Sequence, residues 1–133
     1  MVKRLIIYSI LLLLAYYPSV CAQGQTILIT PEIPPSFPGG EKELYCFIDR
    51  NLDKELLRTV DTTGMTWVQF TINTNGKVTD IKIVKSLTQT VDNELLRIIK
   101  LMPDWEPGKI GDKAVETKFT VPLKIPYENK FYR

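Results

Sequence analysis

Met102-Pro103-Asp104-Trp105-Glu106-Pro107-Gly108-Lys109 lies between an amphipathic helical run and a cleanly alternating strand, and its reading decides the fold. Pro103 lacks the amide that a continuing helix needs, so the helix stops there. Pro107-Gly108 shapes a turn, while Trp105 offers a large apolar plate between the two elements. No residue in the stretch suggests a reaction centre. Upstream, Val91, Leu95, Ile98, Ile99 and Met102 form an apolar stripe that predicts a helix over 90–102. Downstream, Val115, Thr117, Phe119, Val121, Leu123 and Ile125 alternate with Glu116, Lys118, Thr120, Pro122 and Lys124, predicting a strand over 114–125. Pro122 cannot donate a ladder hydrogen bond, which puts that strand at the sheet edge. Residues of its parity then turn their backbone groups outward, so Glu116, Lys118, Thr120 and Lys124 are the candidate docking positions for an incoming strand. The blander reading is that Pro122, Lys118 and Lys124 simply blunt the edge against aggregation. The same residues satisfy both.

The remaining elements follow the same logic. Phe37-Pro38-Gly39-Gly40 reads as a sharp turn, and Glu41 to Leu52 as a helix with Leu44, Phe47, Ile48, Asn51 and Leu52 on one face. Residues 53–63 resist assignment, although Leu56, Leu57 and Val60 must pack somewhere. A strand over 66–73 puts Val68, Phe70 and Ile72 on one face and Trp67, Gln69 and Thr71 on the other. Trp67 is expected to pack in the core or under the leader, the alternative being an exposed contact. Asn73 to Lys77 is a hairpin loop, because Asn75-Gly76 tolerates the positive φ of a tight turn. Val78 to Lys85 returns antiparallel with Ile81 and Ile83 toward the core.

Ahead of all this stands a leader to be cleaved. Lys3 and Arg4 precede the apolar run Leu5–Tyr17, and Val20-Cys21-Ala22 closes it, the layout of a signal peptide over 1–22. The run is too short to cross a bilayer as a helix. The alternatives are a retained N-terminal anchor and a lipoprotein modified at Cys21. Residues 23–36 form an extended, proline-rich arm (surface-hugging or mobile), 37–127 the domain, and 128–133 a short tail. Removing Lys3 and Arg4 from the 17 basic residues leaves 15, against 15 acidic, so the mature chain is formally neutral. That argues against nucleic acid as a partner. Cys46 would then be the sole cysteine, placed as a small buried hydrophobe. The absence of histidine removes the commonest general base and metal ligand together. No catalytic, cofactor or metal residue is assigned. Asp92 with Glu94 and Glu41 with Glu43 read as helix-start acids rather than paired catalytic carboxylates.

These motifs in this order resemble the C-terminal domain of TonB. The matching pieces are Phe37-Pro38-Gly39-Gly40, Phe47-Ile48 and Asn51-Leu52, then Val68 to Ile72, Asn75 to Val78 and Lys85-Ser86-Leu87. Asp92 with Glu94 to Arg97 follows, then Met102 to Lys109 with Pro103, Trp105, Pro107 and Gly108, and finally Val121-Pro122-Leu123. Such domains usually carry a Tyr-Pro pair shortly after the Asn-Leu; here Asp53-Lys54-Glu55-Leu56-Leu57 stands in its place. The chain also shows neither the membrane anchor nor the long proline-rich spacer of a transducing TonB, and by itself is not expected to reach between two membranes. The resemblance implies an α+β fold, two helices on one face of a three-stranded antiparallel sheet in the order α-β-β-α-β. It implies a periplasmic, non-enzymatic binding module of TonB-type transport, needing no cofactor. Its partner would be an outer-membrane transporter or another envelope protein, whose extended segment adds to the last strand. The alternative is a structural domain that self-associates as a homodimer through that strand.

Overall fold

In the computed structural model, residues 30–128 are described. The signal segment 1–22, residues 23–29 of the leader and the tail beyond 128 lie outside them. The fold is α+β, with helices α1 (Gly40–Asn51), α2 (Lys54–Arg58) and α3 (Gln89–Lys100) and strands β1 (Gly64–Ile72), β2 (Val78–Lys85), β3 (Gly108–Ile110), β4 (Lys113–Val115) and β5 (Thr117–Ile125). The main sheet is antiparallel in the order β2-β1-β5; β3 and β4 form a separate ribbon.

One core joins the sheet to the helices. Val68, Phe70 and Ile72 of β1 and Val121, Leu123 and Ile125 of β5 meet Leu44 and Ile48 of α1 and Val91, Leu95, Ile98 and Ile99 of α3. The period-two and helical stripes thus face each other on one side of the sheet, as the resemblance implies. Cys46 is buried on α1. Thr88 caps α3, its hydroxyl accepting from the Val91 amide at 3.3 Å. Beneath that cap lies a buried polar knot. The Thr66 hydroxyl donates to Asp92 Oδ1 at 2.9 Å, and Ser86 donates to Asp92 Oδ2 at 2.5 Å. Asp92 is therefore a partnered structural acid in the first turn of α3.

Three details add to or correct the sequence expectation. Residues 53–63 contain α2, a five-residue turn of helix capped by Asp53, whose Oδ1 accepts from the Leu56 amide at 2.9 Å. The final strand is two pieces: β4 pairs with β3, Glu116 interrupts, and β5 begins at Thr117. The described part of the arm follows the surface-hugging alternative of its reading. Ile33 exchanges backbone hydrogen bonds with Lys109 at 3.0 and 2.9 Å, and Ser36 does so with Glu106 at 2.9 Å both ways. Trp67 accordingly does not lie under the described part of the arm; it sits half-buried on the helix-free face of the sheet, opposite Pro122.

Candidate peptide-docking edge

β5 is one of the two edge strands, and its quality as an edge follows from how it meets β1. Nine consecutive residue pairs, from Gly64↔Ile125 to Ile72↔Thr117, run without a register shift. Continuity across Pro122 fits a missing N–H that faces away from β1. Lys118, Thr120 and Lys124 share that parity and lie within the strand. Glu116 falls in the gap before it, exposed and outside any ladder. The opposite edge is less regular. β2 breaks register with β1 twice, near Val84 and near Asp80, and Asp80 takes a positive φ of 50°. Bulges of this kind twist an edge away from further pairing.

The Met102–Lys109 stretch positions β5. Trp105 is only 4% exposed. Its ring lies 4.9 Å from Phe119 of β5, 5.6 Å from Phe70 of β1 and 5.4 Å edge-on from Phe37 in the Phe37–Gly40 turn. The turn itself closes with the Gly40 amide donating to Phe37 O at 2.7 Å. On the other side the Trp105 amide donates to Gly76 O at 2.8 Å, and Lys77 pairs with Asp104 at 2.7 Å. The Asn73–Lys77 loop is therefore docked on the joint. Glu106 and Lys109 hold the arm, and Gly108 opens β3.

A second clasp fixes the α1–α2 junction to α3, and sequence reasoning missed it. The buried Glu94 carboxylate accepts from Arg97 Nε at 2.9 Å and Nη2 at 2.6 Å, and from the Asp53 amide at 2.8 Å. Arg97 Nη2 also donates to Asn51 O at 2.5 Å. The only legible signal was the i, i+3 spacing of Glu94 and Arg97. The Arg97 hydrogen bond holds the Glu94 carboxyl below its ordinary value, against the opposing effect of burial. A lowered folded pKa contributes stability that is present above the unfolded value and is lost as pH falls through the folded one. Glu94→Gln is expected to lose ~1–3 kcal/mol at pH 7, as charged hydrogen bonds become neutral ones. Its stability should also fall less than the parent's below the ordinary value of 4.5. Urea melts at neutral and acidic pH check this; identical acid slopes would refute it.

Among the described residues no helix is long and apolar enough to cross a membrane. The chain has no match among curated proteins. The family described as Gram-negative bacterial TonB protein C-terminal matches residues 55–124, a little over half of the 133. That span takes in α2 from Glu55, all of β1, β2, α3, β3 and β4, and β5 as far as Lys124. The Phe37–Gly40 turn and α1 fall before it, yet pack into the same core. The chain belongs to the TonB C-terminal family of Gram-negative bacteria, a non-catalytic family of periplasmic domains in TonB-type transport that interact with outer-membrane transporters.

Proposed function

We propose that this domain, exported to the periplasm by cleavage of residues 1–22, binds an extended segment of an outer-membrane transporter or other envelope protein by strand addition to β5. The observation that carries the reading is the contrast between the two edges. β5 runs along β1 for nine residues without a register shift, whereas β2 is bulged twice. Backbone donors at Lys118, Thr120 and Lys124 and their carbonyls would provide affinity; the alternating side chains would provide selection. Pro122 leaves one rung without a donor, which limits indiscriminate pairing.

The test uses proline against itself. Thr120→Pro removes an outward N–H at the parity that already tolerates Pro122, so the fold should hold to within ~1 kcal/mol. Capture of outer-membrane transporters by residues 23–133 should drop to control level. Val121→Pro, of inward parity, should instead lower stability by ~3 kcal/mol or more, by breaking the β1 ladder. Undiminished capture by a folded Thr120→Pro variant would sink the strand-addition reading. Light scattering of both proteins separates the dimer reading: a dimer that Thr120→Pro dissolves would assign the edge to a second copy of this chain.

A further inference from the structure

The sheet face away from the helices has no covering element among the described residues, and its composition is not neutral. Direct partners in an antiparallel pair project from the same face. The register therefore groups Lys85, Trp67 and Pro122 in one row, Lys82, Gln69 and Thr120 in the next, and then Thr79, Thr71 and Lys118, with Met65 and Lys124 beyond Trp67. Lys82 and Lys85 are three residues apart and in a regular strand would point oppositely. The bulge at Val84 returns Lys85 to the face of Lys82. All four lysines are exposed, and among the described residues none is ion-paired.

The result is two basic rails, on β2 and β5, roughly 10 Å apart because two strand spacings separate them. The neutral strip between them carries Trp67, Gln69 and Thr71 of β1. A groove of about 420 Å³ lies between the rails, with Gln69 and Thr71 as its floor, Asp80 and Lys82 on one wall and Lys118 on the other. Asp80 is the single acid lining it.

We infer that this face is a second docking surface, one that takes an extended acidic polypeptide segment laid along β1 between the lysine rails. Charge complementarity selects the sign of the occupant. The spread of the charges selects its shape, since Lys118 and Lys124 stand about 20 Å apart along β5, too far for one compact anion. The groove's walls admit a single extended chain and keep a flat lipid surface from its floor. The β2 rail lies on the far side of β1 from the outer edge of β5, so occupancy of this face does not require strand addition.

A short polyglutamate peptide titrated into residues 23–133, followed by amide and indole NMR shifts, tests the inference. Shifts should centre on Trp67, Gln69 and the two rails, and affinity should fall steeply as salt screens the exposed charges. The Lys82→Gln/Lys85→Gln variant should melt as the parent does and bind roughly tenfold more weakly, the size expected for losing two exposed ion pairs. Lys118→Gln/Lys124→Gln, on the other rail, should weaken binding similarly. Three results would overturn the inference: shifts confined to the β5 edge, undiminished binding by Lys82→Gln/Lys85→Gln, or tighter association with anionic phospholipid vesicles or heparin than with polyglutamate.

Discussion

Trp105→Ala is expected to destabilise the domain by ~3–5 kcal/mol, the range for deleting a large buried aromatic. Domains of this size are stable by only about 5–15 kcal/mol, so the loss takes a large share of the whole. The reason lies in what the indole separates. Phe37, Phe70 and Phe119 approach it from the entry turn, the central strand and the edge strand, at ring distances of 5.4, 5.6 and 4.9 Å. Three elements that do not adjoin in sequence share one plate, and none of the three rings can fill the gap without leaving its own place. The loss is one of packing rather than hydrogen bonding, because Trp105 Nε1 is buried without an acceptor among the described residues. Trp105→Phe should therefore cost clearly less. Partner capture should fail in the alanine variant as a consequence of unfolding, and return under conditions that restore the fold. An unchanged urea midpoint would show that Trp105 is no pin.

How much of this was legible depended on whether the signal was periodic or distant. The apolar stripes of α3 and β5 repeat over three turns and nine residues, and each sits where its period requires. The proline at position 122 carried enough chemistry to put β5 at the edge, as the sheet order has it. Short elements carried no period. α2 spans five residues, and its one signal was the Asp53 cap. β3 and β4 are three residues each, too brief to distinguish from the strand that follows. The bridges of the arm were hidden among its prolines. Pro34 and Pro35 lack donors, but the two residues that bridge to Glu106 and Lys109 are Ser36 and Ile33, on either side of them. The docking residues were partly readable: Lys118, Thr120 and Lys124 lie in the edge strand, while the break at Glu116 has no mark in the alternation. The basic face was unreadable for two reasons. Overall neutrality hid a local segregation of charge, and the bulge at Val84 reverses the parity by which Lys85 would be assigned.

Gly76→Ala is expected to cost ~2–5 kcal/mol, more than its place at a loop tip suggests. The sequence explained this glycine by the positive φ of the hairpin turn, and φ is 80°. For alanine that conformation alone costs about 1–2 kcal/mol. The larger part comes from the joint. A Cβ at Gly76 would lie 2.0 Å from the carbonyl oxygen of Trp105, which is backbone and cannot swing aside. The loop and the Met102–Lys109 stretch must separate, and the Trp105 N–H to Gly76 O bond of 2.8 Å is strained or lost with them. Gly111→Ala supplies the control. Gly111 also has a positive φ, of 57°, but an added Cβ there meets nothing within 4 Å, so its cost isolates the backbone preference. The excess in Gly76→Ala over Gly111→Ala measures the loop-to-joint contact. A double-mutant cycle then connects it to the pin, since residues in contact do not act additively. With Trp105 truncated, its backbone is free to yield, and Gly76→Ala should cost less than it does in the parent. Strictly additive costs in urea melts would show that the hairpin loop and the Trp105 joint hold the edge strand independently.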